Sequence, residues 1–371
     1  MKIMAGVFIV SLVLIGRFFL SPSELTYLEE AEKRAIVPIG NMISHRFAHT
    51  STLLSNGKIL IVGGQDGGAL ATAEIFDPAS NSFTSTGIMA EARAGHTATL
   101  LPSGKVLITG GYNGSYLSTA EVYDPTTGKF TPISQMTIAR SGHEAILLND
   151  GKVLLVGGVG TGWSFLSSAE IYNPETGHFA FTGNMTTARE SHTATLLKDG
   201  KVLITGGHKD RRAAITIYSS AELYDPSIGK FFSAGNMSVR RHKHDATLLA
   251  DGRVLILGGS DERDRNGAYV SSEIYDPRTG RFTPSVNMNV RRYKHRGTTI
   301  LLPSGQVLVV GGSNIAELFD PAASLFLKVD GSMGTDRLFA AATLLRNDQV
   351  LITGGYDEGM ITSSKAWLYQ Q

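Results

Sequence analysis

Arginine followed three residues later by histidine recurs along the chain: Arg46/His49, Arg93/His96, Arg140/His143, Arg189/His192, Arg241/His244 and Arg292/His295. A seventh step has Arg337 but Ala340. Glutamates keep the same company at Glu74, Glu121, Glu170, Glu222, Glu273 and Glu317, and the seventh place holds Trp367. Six imidazoles could bind zinc or copper. A residue that repeats at fixed spacing belongs to the repeat first, and a ring of repeats would spread these histidines rather than gather them. No metal site is therefore expected. His and Glu are lost together in the seventh unit, which suggests a His–Glu pair within each unit, since a buried carboxylate needs a partner.

A second group of residues breaks the repeat. Arg211 and Arg212 lie in one loop, Arg240, Arg241 and Lys243 in the next segment, and Arg291, Arg292, Tyr293 and Lys294 in another. Earlier units carry one Arg at the equivalent place. Guanidinium and ammonium groups gathered this way suit a carboxylate, sulfate or phosphate, with Arg able to bond two oxygens at once. Tyr293 and Tyr269 could add a stacking surface. The plainer reading is a solvated rim, partly neutralised by Asp210, Asp261, Glu262 and Asp264. These nine residues form the candidate ligand site. No catalytic set accompanies them: a Gly-x-Ser-x-Gly elbow, a phosphate loop and a zinc-protease helix are all missing from the sequence.

The elements that would position these groups repeat too. Gly-Gly pairs begin at residues 63, 110, 157, 206, 258, 311 and 354, each after a short apolar run such as Ile59-Leu60-Ile61-Val62. Such runs read as strands covered on both faces. The second unit shows the pattern around them. His96 to Leu101 alternates as a half-buried strand does, Pro102 to Lys105 turns, and Val106 to Thr109 is the apolar strand. Ala120 to Tyr123 follows, then a turn at Asp124-Pro125-Thr126-Thr127-Gly128 and a strand opening at Lys129. Four short strands per period of about 45 to 50 residues is the signature of a β-propeller.

Gly-Gly closing the second strand and an aromatic third strand resemble the kelch repeat. The resemblance covers residues 35–371 and implies an all-β, seven-bladed propeller of four-stranded blades. The last unit stops at its third strand, and Val37 to Met42 matches the fourth-strand ends of other units. An N-terminal strand should therefore complete the last blade and close the ring. The kelch propeller is also the core of galactose-oxidase-like enzymes, which resemblance would imply copper held by Tyr and His. Their radical cofactor needs a Tyr cross-linked to Cys, and this chain of 371 residues has no Cys. The same lack removes disulfides, thiolate metal sites and cysteine nucleophiles. No cofactor is expected.

Lys2 precedes an apolar run from Ile3 to Gly16, then Arg17 and Phe18-Phe19-Leu20. Residues 1–23 read as a signal peptide, cleavable after Ser23, or as a membrane anchor. Residues 24–34 read as a short charged helical spacer. The expectation is a monomeric propeller outside the cytoplasm, secreted, periplasmic or anchored, with membrane contact only through this segment. A net charge of +1 offers no field for nucleic acid. The reading for function is a non-catalytic recognition module, binding a protein or an anionic glycan or peptide on the face shared by second-to-third and fourth-to-first strand loops. The alternative is a carbohydrate-active enzyme of epimerase, lyase or oxidase-like type with its site in the propeller mouth.

Overall fold

The computed structural model describes residues 34–211 and 214–371. The expected leader or anchor, the spacer up to residue 33 and Arg212 lie outside the described residues. Among the described residues no helix is long and apolar enough to cross a membrane.

Seven four-stranded antiparallel sheets follow one another around a ring. The first blade is Thr50–Leu53, Ile59–Val62, Ala73–Asp77 and Ser82–Ser85, innermost to outermost. Inner strands of consecutive blades touch all the way round, including Thr50–Leu53 against Ala341–Leu344. Ala35–Pro38 pairs antiparallel with Ala366–Gln370, so the seventh blade takes its outer strand from the N-terminal side. The ring closes as the unmatched ends require.

The second strands explain the stacking. Side chains alternate faces along a strand, so Ile59 and Ile61 pack against the seventh blade while Leu60 and Val62 pack against the second. Every gap between blades is filled this way. One methionine from the crossover into each blade completes the filling, as Met42 and Met89 do. Third and fourth strands meet through aromatic pairs, such as Tyr123 and Phe130 with ring centroids 4.8 Å apart. Asp124 Oδ1 accepts the Thr126 amide at 2.9 Å and fixes the turn between them.

The repeated charges are not surface groups. The six arginines paired with glutamate are fully buried. Arg140 donates to Gly157 O at 3.0 Å and to Glu170 Oε1 at 2.9 Å. Glu170 also accepts the amides of Thr137 and Ile138, at 2.7 and 3.2 Å. One carboxylate thus fastens the crossover from one blade to the third strand of the next. This corrects the expected His–Glu pair: Glu takes Arg, and His faces the preceding blade. His143 Nε2 bonds Thr97 and Thr109 of that blade at 3.1 and 3.2 Å. A Cβ on Gly110 would come within 2.9 Å of His143 Cε1 and 2.4 Å of Arg140 O. In six of the seven pairs the first glycine is bare because the next blade sits on it; at Gly311 the close neighbour is Thr298 of the same blade. In the seventh blade Arg337 lies 5.0 Å from the ring centroid of Trp367, and a cation–π contact replaces the ion pair.

Glu170→Ala leaves a buried guanidinium without its counter-charge. It should cost about 3–5 kcal/mol, read as a lower denaturant midpoint in chemical unfolding. Replacing Arg140 and Glu170 together by Met and Leu should recover much of that loss.

Candidate functional site

Two residues after each repeated arginine the backbone turns left-handed. Ala48, Gly95, Gly142, Ser191, Lys243, Lys294 and Phe339 have φ between 50° and 64°. They form a ring around the mouth of the channel. Gly95 N donates to Ala48 O at 3.1 Å, Gly142 to Gly95 at 2.9 Å and Lys243 to Ser191 at 3.0 Å. Lys294 donates to Lys243 at 2.9 Å, Phe339 to Lys294 at 2.8 Å and Ala48 to Phe339 at 3.1 Å. Five of these seven residues are not glycine, and each such residue costs roughly 1–2 kcal/mol in this conformation.

Below the ring the residue following each His, or Ala340, faces the channel: Thr50, Thr97, Glu144, Thr193, Asp245, Arg296 and Ala341 line one cavity of ≈630 Å³. Arg296 Nε reaches Glu144 Oε1 at 3.3 Å. These side chains come from the sixth and third blades, nearly opposite one another, so the pair bars the channel. Burial pushes the Glu144 carboxyl up to about 7; Arg296 opposes the shift and Asp245 adds to it. Asp245 accepts the amides of Thr298 and Thr299, both at 2.9 Å, yet its burial still raises its pKa. Glu190, also lining the cavity, is raised by burial against Arg211, Lys243 and Arg296.

The expected site residues separate into two groups. Lys243 and Lys294 line the cavity, and so does Arg211. Lys243 Nζ bonds Asp264, and Lys294 Nζ bonds Tyr356 Oη at 2.9 Å. Burial lowers both ammonium pKa values. Arg211 reaches Glu190 at 3.3 Å and lies 4.0 Å from the ring centroid of Trp163. Tyr293 is buried beside Lys294, 5.2 Å from its ring centroid to Nζ. Arg240 pairs with Glu262 at 3.0 Å, outside the cavity lining, and Arg291 is exposed. Arg241 and Arg292 are fully buried and bond Glu273 and Glu317 at 2.9 and 3.0 Å. They are struts of the scaffold, since a guanidinium bound to a glutamate and a glycine carbonyl presents nothing to a ligand. Tyr269 covers Arg241 at 5.7 Å rather than offering a free face.

The sequence reading passed over Glu144, Asp245 and Arg296. Their signal was present: where other units have Thr or Ala after the histidine position, these have charges. It also passed over Glu190, His208 and His242. His208 and His242 meet Nδ1 to Nδ1 at 3.1 Å, with His208 Nε2 3.6 Å from Glu190. Burial lowers them to about 3 and about 4, and both stay neutral at ordinary pH.

A kelch motif matches residues 46–89, 92–137 and 141–186. The chain is a seven-bladed β-propeller that carries kelch motifs in its first three blades. No curated protein sequence matches it. Among solved structures it is similar to a fungal alcohol oxidase of the AA5 family, in complex with copper, at 16% identity and TM-score 0.71. The match covers 91% of this chain and 76% of that one, and it shows the fold alone. The kelch propeller is a scaffold suited to protein interaction. The six repeated histidines do not assemble a copper site. Among the described residues no three His, Cys, Asp or Glu side chains converge as ligands, and the repeated histidines each face a different blade.

Glu144 titrates higher in the folded protein than in the unfolded chain. Its stabilising contribution is complete below about 4.5, is lost as pH rises to about 7 and stays lost above. Glu144→Gln should therefore gain stability relative to wild type between pH 4.5 and 8, by up to about 3 kcal/mol. Urea unfolding of both proteins at the two pH values measures it.

Proposed function

We propose that this kelch propeller is a recognition module that holds an anionic ligand, an acidic glycan or an acidic peptide, in its mouth. The observation that carries the reading is the pair Lys243 and Lys294, neighbours on the left-handed ring and both lining the cavity. With Arg211 and Arg296 the lining has four Lys and Arg residues against the three carboxyl groups of Glu144, Glu190 and Asp245. All three carboxyls are pushed toward their neutral form. Asp264 already pairs with Lys243 from outside the lining, so the cationic excess rests chiefly on Lys294, whose Nζ meets the neutral Tyr356 Oη, and that excess biases the cavity toward negative ligands. The apolar N-terminal run supports export, and for an exported propeller the matching ligands are the carboxylate- and sulfate-bearing polymers of the cell exterior.

A second reading has one observation in its favour. A carboxyl group near neutrality on a cavity floor beside an arginine is arranged for proton transfer. The mouth would then turn over an acidic sugar rather than only bind it.

An array of acidic and neutral glycans and acidic peptides, read at low and high salt, tests the first reading. Wild type should bind anionic members, more weakly as salt rises. Lys243→Gln/Lys294→Gln should weaken that binding at least ~10-fold, about 1.4 kcal/mol. Identical profiles for the two proteins would refute the site. Release of product from any acidic member would move the case to the enzyme.

A further inference from the structure

Trp163 is one of two tryptophans in the chain. The other, Trp367, is core. Trp163 sits in the loop between second and third strands of the third blade, inside the turn Thr161–Trp163. Its φ is 63°, a left-handed backbone that bulky side chains avoid, and its side chain is 54% exposed. A large apolar ring held in a costly conformation at the lip of a cavity asks for a use. Its neighbours extend the aromatic surface. Tyr116 meets it edge to face, with centroids 5.8 Å apart and planes at 82°. Tyr112 meets Tyr116 at 5.1 Å and 59°, and is itself 40% exposed. All three line the same cavity as the lysines.

We propose that Tyr112, Tyr116 and Trp163 form an aromatic subsite for a sugar ring, so that the ligand of the mouth is an acidic oligosaccharide with its carboxylate at Lys243 and Lys294 and a neighbouring unit on this wall. The inference rests on the anion-binding reading above and adds the ligand class. Three features favour a saccharide. The rings are tilted or perpendicular to one another, so they make a corner and not a parallel slot for a planar base. A corner of ring faces and edges accommodates a puckered ring with its axial hydrogens. The lining next to it, Ser141, Glu190 and Arg211, offers hydroxyl, carboxyl and guanidinium groups, the mixed donors and acceptors that sugar hydroxyls need. Arg211, 4.0 Å from the Trp163 centroid and bonded to Glu190, covers one face of the indole and steadies it, and the half-exposed remainder of the ring is what meets the ligand. The aromatic wall belongs to the second and third blades and the lysines to the fifth and sixth, so the two subsites face each other over the mouth. A cavity of ≈630 Å³ lies in the roughly 300–1,000 Å³ range of ligand sites.

The test uses the full chain and four probes: glucuronate, the disaccharide of glucuronate and glucose, glucose, and uridine monophosphate. Affinities come from calorimetry, and tryptophan emission gives a second readout, because Trp367 is buried. The disaccharide should bind at least 10-fold tighter than glucuronate and shift the emission. Trp163→Ala should erase that gain and leave glucuronate binding unchanged, while Trp163→Phe restores most of it. Trp163→Gly should lose the gain while melting no lower than wild type, since glycine relieves the strained backbone. Lys294→Gln should weaken both acids. Equal affinity of the two acids, or a disaccharide indifferent to Trp163→Ala but sensitive to Lys294→Gln, overturns the aromatic subsite and leaves the anion site standing. Tighter binding of uridine monophosphate, lost with Trp163→Ala, overturns the saccharide class. If no acid binds, the anion site fails and this inference with it.

Discussion

Six guanidinium groups with no solvent exposure hold this molecule in register. Burying an arginine is expensive unless every charge and most donors are met. Here one glutamate and one glycine carbonyl meet each, as with Arg189, Gly206 O at 2.6 Å and Glu222 at 2.9 Å. The same glutamate takes amides from the crossover that delivers the arginine. A strand, a crossover and a Gly-Gly corner are thereby fixed to each other by one ionic knot. Burial lowers the pKa of these arginines and the glutamate charge opposes that, so each pair stands or falls together. The apolar clusters between blades supply area. The knots decide which strand meets which loop.

The repeats were plain in the sequence because they solve one packing problem seven times. Gly-Gly, the Asp-Pro turn and the apolar second strand each have a local cause that spacing reveals. Closure by Ala35–Pro38 was legible because an incomplete last unit and a spare first strand complement each other. The pairing within a blade was not legible. Arg, His and Glu recur together in six units, and in the seventh His and Glu are lost while Arg337 stays against Trp367, so the pattern of loss pointed to the wrong pair. Three-dimensional placement gives the right one: His lies over the glycine of the preceding blade, and only Arg reaches the carboxylate.

The site was half legible for a related reason. A charged run such as Arg240-Arg241-His242-Lys243-His244 mixes residues with opposite fates. Arg241 is scaffold because it holds the repeat position, whereas Lys243 is free to face the mouth because its position varies from unit to unit. The functional signal was thus departure from the repeat, not density of charge. Read by that measure, Glu144, Asp245 and Arg296 stand out against threonine and alanine, and Lys243, Lys294 and Phe339 against glycine, alanine and serine. Trp163 departs in a loop whose length differs between blades, so no aligned position marked it.

The ring of left-handed residues ties stability to specificity. Glycine would satisfy every one of its positions at least cost, as it does at Gly95 and Gly142. The tangential hydrogen bonds depend only on backbone, so they persist whatever side chain is present. That separation lets the mouth change chemistry without changing shape. A lysine or phenylalanine on the ring costs a strained φ but leaves the inter-blade bond intact, as the 2.8 Å contact from Phe339 N to Lys294 O shows. Side chains that accept this strain are held on a rigid rim with little freedom to lose on binding, which is where preorganised recognition gains most. The lysines and the aromatic wall occupy sites where the scaffold tolerates a misfit residue, and the knots beneath supply the rigidity that makes the misfit affordable.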